Sequence, residues 1–317
     1  MKFSPLFWPI QFEANIIYIL DETLLPQKLT YIKAKNYQAA CKAIREMKTR
    51  AVGQVILVFY TFLQVLKQEK GKKDLLPILA KVAAAINATR PTLSFKYLTD
   101  MVLGWSKSGA PLEQCILGFL ETLKNARIKQ AEAASKLLND GDVILTHCNV
   151  SGLMPLIAGF CRAENKKLSF FVTETRPYLQ GTRLTAWELK QQGFDVTVIT
   201  DSTVAQVMSE GKISKVIVGA DHLAQNGDFA NKIGTYQIAL LAKHFCVPFY
   251  VLCPPPTKAA CGKDIKIELR PQEELLIFQG TRLAPKGVKG YYPAFDVTPR
   301  ELITQHIYLE LKPHDIR

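Results

Sequence analysis

Two side chains in this sequence could exchange protons with a bound ligand, the thiol of Cys148 and the carboxyl of Asp221. The carboxyl closes residues 215–221 (KVIVGAD), an apolar, β-branched run of the kind that forms a buried parallel strand, so it falls at that strand's carboxyl edge. Gly219 and Ala220 leave room beside it. After a polar turn at 225–228, Asn231 and Lys232 lead into a helix-like segment that runs to His244. A carboxyl, an amide and an ammonium beside glycine-lined backbone suit an anionic ligand rich in hydroxyls.

A cysteine at a strand end is ordinarily inert filler unless polar neighbours tune its thiol. Cys148 has such neighbours in His147 and Asn149, with Ser151 and Gly152 turning the backbone just beyond. Strand alternation sends His147 to the opposite face, as a packing or supporting residue. Residues 174–189 (ETRPYLQGTRLTAWEL) set Arg176, Gln180 and Arg183 around a Pro- and Gly-containing turn that opens a helix, a suitable place for phosphate, although Arg183 could instead pair with Glu188. Arg50 and Arg90 stand at helix junctions, and Arg90 precedes Pro91, which holds it extended. Asp201 and Ser202 read as helix caps.

The elements that must position these groups follow from the hydrophobic rhythm. Residues 16–35 read as two strands joined near Pro26. Helical spacing then covers 37–49, 52–70, 75–87, 92–107 and 112–138, with breaks at Gly71, Pro91 and residues 109–111. From 142 onward strands at 142–148, 168–174, 195–200, 215–221 and 248–254 alternate with helices near 153–165, 184–192, 204–210 and 233–244. The fold class is therefore α/β: a mostly helical N-terminal domain with a small β-hairpin, residues 1–127, followed by a Rossmann-like parallel-sheet domain, 128–317. In an open parallel sheet, ligands bind beyond the carboxyl ends of the strands, where Cys148, Asp221 and the 174–183 turn all fall.

Composition narrows the class. The 317 residues are 48 % hydrophobic, enough for a large core, and the formal charge of +12 is spread among acids rather than gathered into a stripe. No nucleic-acid partner is expected from such a pattern. Seven cysteines with no CxxC pair and no zinc spacing argue for a reducing compartment and against structural metal. The longest apolar run, 52–66, is interrupted by Gln54 and Gln64, and the N-terminus has no signal-peptide pattern, so a cytoplasmic protein without a membrane span is expected.

Taken together, LDETLLP at 20–26, NATRPT at 87–92, ILTHCN at 144–149, the 174–189 stretch, VIVGAD at 216–221, NGDFANKIGTYQ at 226–237 and PAFDVTP at 293–299 resemble the methylthioribose-1-phosphate isomerase family. Ribose-1,5-bisphosphate isomerases and the regulatory subunits of translation initiation factor 2B belong to the same wider family. The resemblance implies a homodimeric aldose-ketose isomerase acting on a sugar phosphate, with no cofactor and no metal. It implies Cys148 and Asp221 as the catalytic pair and Arg50, Arg90, Gln180, Asn231 and Lys232 as substrate contacts. On this reading Asp221 is an acid kept protonated in a poorly solvated pocket. The sequence departs from the family after Arg50, where Ala51, Val52 and Gly53 replace a Gly-Ala-Pro run, and at His222, Val150, Ser151 and Met154. Another 1-phosphorylated pentose, or a silent sugar-phosphate- or nucleotide-binding regulator, remains as the alternative.

Overall fold

Alternating apolar residues near the N-terminus form a three-stranded antiparallel meander, β1 (Ile10–Glu13), β2 (Ile16–Leu20) and β3 (Tyr31–Ala34). Its register sets Ile10 opposite Ile19 and Ile17 opposite Ala34, all buried. The expected hairpin is β2 and β3. The first strand escapes a sequence reading because its turn is Ala14-Asn15, both at positive φ, without the glycine that usually marks such a turn. The computed structural model describes residues 3–72, 74–90 and 95–311. They divide into two units, with the boundary between Ile128 and Lys129.

In the N-terminal unit the meander is followed by α1 (Tyr37–Arg45), α2 (Val52–Gln68), α3 (Leu76–Asn87), α4 (Lys96–Lys107) and the start of α5 (Leu112–Ser135). The expected start of the fourth helix at Thr92 lies outside the described residues. Helix α2 is buried around most of its circumference, which is what a nearly uninterrupted apolar run requires. Phe59 packs against Trp105 and Phe119. The two glutamines within the run have structural work: Gln64 Nε2 donates to the carbonyls of Asn15 and Ala34, and Gln54 Nε2 to that of Thr49.

The C-terminal unit contains β4 (Val143–Thr146), α6 (Leu153–Ala163), β5 (Ser169–Thr173), α7 (Ala186–Gln191), β6 (Asp195–Ile199), α8 (Val204–Ser209), β7 (Lys215–Gly219), β8 (His222–Leu223), β9 (Phe229–Lys232), α9 (Thr235–His244) and β10 (Phe249–Cys253). Beyond these come α10 (Glu273–Leu276), β11 (Ile277–Phe278), β12 (Thr281–Arg282), β13 (Phe295–Thr298) and β14 (Gln305–Tyr308). Six strands form one sheet in the order β14-β10-β7-β4-β5-β6, and every pairing is parallel. Val216, Val218 and Val251 pack with Val204, Val207, Ile238 and Ala242 of α8 and α9. Ile144, Ile217 and Leu252, which alternate to the other face, are buried too. The five strands expected from sequence are all present. The sixth, β14, is a short edge strand whose Gln305 and Tyr308 are exposed, so it lacks the apolar run by which the others are recognised.

Candidate functional site

Strands β4 and β7 are direct neighbours, with Leu145 opposite Val216, so the segments that leave them carry Cys148 and Asp221 out over the same edge of the sheet. Cys148 sits at φ +62°, a left-handed conformation that costs a non-glycine residue on the order of 1 kcal/mol and needs support from its surroundings. Hydrogen bonds on both sides provide it. The Cys148 N–H donates to Thr175 Oγ1 at 2.9 Å, and its carbonyl accepts from Thr185 Oγ1 at 2.6 Å. Asn149 is turned away to donate to Thr185 and Glu188, so it anchors the turn. The thiol itself is half-buried.

His147 is buried, as alternation requires, and accounts for both ring nitrogens. Nε2 donates to the Ile233 carbonyl at 2.9 Å, which leaves Nδ1 as the acceptor for the Thr173 hydroxyl at 2.6 Å. This neutral ring ties the exits of β4 and β5 to the residue that follows Lys232. Burial lowers its pKa from 6.5 to about 4, against the opposing pull of Asp201. Between those values the unfolded chain takes up a proton that the folded chain refuses. The stability due to His147 is therefore complete above pH 6.5 and is lost as pH falls toward 4, on the order of 2 kcal/mol by pH 5. Asp296, raised by burial from 3.8 to about 6, works with the opposite sign, its contribution being lost as pH rises through that window. Comparison with His147→Gln separates the two: urea midpoints of wild type and variant should converge between pH 7 and pH 5, and a constant gap contradicts the assignment.

Asp201 does not cap its own helix. Its carboxylate accepts from the backbone N–H groups of Thr175 and Arg176, both at 2.8 Å, and so clamps the exit of β5. Beyond that exit Gly181 lies so close to the strand that a Cβ there would stand 1.8 Å from the Thr173 carbonyl oxygen, which only glycine permits. This approach seats Gln180, 4 % exposed, with its Oε1 buried and without a hydrogen-bond partner. A dry, unsatisfied amide oxygen is costly and points to a ligand donor.

Asn231 and Lys232 do not open a helix. They end β9, which pairs with β13 (Asn231 opposite Asp296, Lys232 opposite Phe295), and the pleat sends them to opposite sides. The helix expected over 233–244 follows as α9, which begins at Thr235 after Gly234 at φ +103°. Asn231 donates to Thr235 Oγ1, and its Oδ1 lies beside Gly219 at the exit of β7. Lys232 points instead among Tyr178, Tyr292 and Phe295. Asp221, held through its N–H to the Ala230 carbonyl, is exposed, so the poorly solvated pocket expected around it is not a property of the free chain.

Arg50 and Arg90 belong to the N-terminal unit, where Arg50 pairs with Glu22 and Arg90 reaches Met47 and Gln54. Glu22, 6 % exposed, accepts from Arg50 Nε at 3.1 Å, Arg50 N at 3.0 Å and Thr49 Oγ1 at 2.8 Å. Arg90 Nη1 reaches Met47 Sδ and Gln54 Oε1. Pro91, on which the extended reading of Arg90 rested, lies outside the described residues. Ala51 adopts φ +44° and ψ −121°, a conformation suited to glycine, and Gly53 packs where a Cβ would meet Thr49 Oγ1 at 2.0 Å. Ala51 therefore holds this turn at a cost in strain. Ala51→Gly should raise the unfolding free energy by about 1 kcal/mol, read as a higher urea midpoint; an unchanged or lower midpoint contradicts the strain.

Tyr178, Tyr292 and Asp296 carry no spacing signal of their own, whereas Thr175 stands at the polar carboxyl end of the second expected strand. Tyr178 and Asp296 lie inside the quoted motifs, and Tyr292 is the residue just before one. Among the described residues no group of three or more His, Cys, Asp or Glu side chains is placed to hold a metal ion, and no helix is long and apolar enough to cross a membrane.

A parallel sheet with polar side chains gathered at its carboxyl edge defines a ligand-binding α/β protein. More narrowly, the chain belongs to the initiation factor 2 subunit family, whose sequence profile matches residues 54–308. It is 37 % identical over 323 aligned residues to the methylthioribose-1-phosphate isomerase of Fervidobacterium nodosum, covering 93 % of this chain and 91 % of the relative. Among solved structures it resembles 5-methylthioribose 1-phosphate isomerase from Pyrococcus horikoshii OT3, with TM-score 0.83, 29 % identity and coverage of 96 % of this chain and 93 % of that one. It equally resembles the delta subunit of translation initiation factor eIF-2B from A. fulgidus, with TM-score 0.83, 34 % identity and coverage of 96 % and 94 %.

Proposed function

We propose that this chain is an aldose-ketose isomerase that converts 5-methylthioribose 1-phosphate to 5-methylthioribulose 1-phosphate in methionine salvage. The observation that carries the reading is near-full-length identity of 36–38 % to relatives bearing that name, in a chain with a thiol and a carboxyl at the exits of adjacent strands. Cys148 and Asp221 are the reacting groups; Arg50, Arg90, Gln180, Asn231 and Lys232 contact the substrate.

Phosphate on the anomeric oxygen prevents the sugar ring from opening as a free hemiacetal does, so an acid is needed at the ring oxygen. Asp221 gives that proton as the bond from C1 to the ring oxygen breaks. Asp221 is exposed, so its carboxyl is open to a ligand arriving at this edge of the sheet. Cys148 then handles hydrogen movement between C2 and C1. In one route its thiolate takes the C2 proton and returns it to C1. In the other, hydride passes directly from C2 to C1 and the thiolate takes the hydroxyl proton. Deuterium at C2 separates the two: washout into solvent marks the first, full retention at C1 the second.

The experiment that tests the substrate is parallel kinetics on 5-methylthioribose 1-phosphate, 5-deoxyribose 1-phosphate and ribose 1,5-bisphosphate, with the first having the highest kcat/KM. Preference for either of the others would reassign the substrate. The likeness to the A. fulgidus initiation-factor subunit supports a second reading, a non-catalytic sugar-phosphate or nucleotide binder. Thermal stabilisation by these ligands without turnover favours that reading. The protein acts in the cytoplasm, in keeping with seven unbridged cysteines, and as a homodimer by analogy with the family. Light scattering on the purified protein checks the dimer.

A further inference from the structure

Lys232 is 7 % exposed, and three aromatic rings surround its ammonium. Nζ lies 5.8 Å from the ring centres of both Tyr178 and Tyr292 and 5.1 Å from that of Phe295. It also donates to the Tyr292 hydroxyl at 3.4 Å. Ring faces attract a cation most strongly where water is excluded, so such a box both stabilises the charge and limits where it can point.

The box is itself braced. Tyr178 and Tyr292 meet edge to face with centres 6.4 Å apart, and Arg270 Nη2 donates to the Tyr178 hydroxyl at 2.9 Å. The Arg270 guanidinium is fixed between Glu268 and Glu274, and its backbone N–H donates to the Tyr292 carbonyl at 2.9 Å. Tyr292, 4 % exposed, is within electrostatic reach of the Cys148 thiol as well as in contact with the ammonium.

We infer that Tyr292 is a positioning residue: braced by Tyr178 and Arg270, it fixes the Lys232 ammonium for contact with the anionic group of the phosphorylated sugar. The inference rests on the isomerase reading of this site. Tyr292→Phe keeps the ring and removes the hydroxyl to which the ammonium donates.

A two-by-two set of wild type, Tyr292→Phe, Lys232→Met and the double variant tests it by steady-state kinetics. Tyr292→Phe should raise KM about tenfold while kcat changes less than about twofold, as expected when a contact made in both ground and transition states is weakened. In the Lys232→Met background the same change should leave KM where it was, because no ammonium remains to be aimed. An unchanged KM in the single variant, or equal KM effects in both backgrounds, overturns the proposal.

A readout independent of turnover keeps failure of the isomerase reading distinct from failure of the box. Acetic anhydride labelling of Lys232, followed by peptide mass spectrometry with exposed Lys42 as reference, should speed up about tenfold in Tyr292→Ala when a desolvated, ring-bound ammonium is released. Equal labelling rates in wild type and Tyr292→Ala overturn the box, whatever the substrate.

Discussion

Cys148→Ala and Asp221→Asn should each lower kcat on 5-methylthioribose 1-phosphate by about a thousandfold, the scale of a lost proton-transferring group. Asp221 is exposed, so its carboxyl supports little packing. The Cys148 backbone is held by Thr175 and Thr185 through its N–H and carbonyl, which alanine retains. Melting temperatures should therefore stay close to wild type while turnover falls. The double variant should be barely worse than the poorer single one, because groups acting in one reaction are not additive. Wild-type-like kcat in both single variants would remove these residues from the mechanism.

Glu22→Ala should destabilise the N-terminal unit by about 3 kcal/mol, as breaking a buried ion pair does when one charge is left behind. Glu22 accepts three hydrogen bonds with two oxygens and is almost fully buried, and the Arg50 side chain is only 19 % exposed. Removing the carboxylate takes one acceptor from the Arg50 guanidinium and one from the Thr49 hydroxyl. KM should rise along with the loss of stability. Glu22→Gln, which keeps the shape and drops the charge, should fall between. Urea unfolding measures the difference, and a loss below about 1 kcal/mol would mean that the pair is solvated and weak.

Much of this arrangement was legible in the sequence because buried parallel strands announce themselves. Lys215–Gly219 and Phe249–Cys253 are apolar runs with both faces covered, so their positions and their polar ends could be read directly. Where the chain bends back on itself, the reading weakened. Phe229–Lys232 forms a short antiparallel strand whose partner, Phe295–Thr298, lies more than sixty residues away, and no local pattern encodes such a pairing. The consequence was functional: Asn231 and Lys232 face opposite ways, one toward Gly219 and one into a ring of aromatics.

The supporting residues were less legible for a related reason. Thr175, Thr185 and Asp201 act through hydrogen bonds to backbone groups of neighbouring loops, and in sequence they are ordinary turn residues. His147 was assigned to packing by strand alternation, and its burial agrees, but its two partners, Thr173 and Ile233, come from separate crossovers. Ala51 presents the converse case. Its departure from the family's glycine was visible in sequence, whereas its retention of a glycine-like backbone conformation was visible only in three dimensions.

Carbon-13 NMR of 5-methylthioribose 1-phosphate enriched at C2, followed during incubation with the purified protein, examines the isomerase most directly. A ketone resonance should grow with the wild-type protein and stay absent with Cys148→Ala and with Asp221→Asn. A C2 signal that never leaves the sugar-ring region in the presence of wild-type protein, or a ketone that forms equally fast in both variants, would contradict the account.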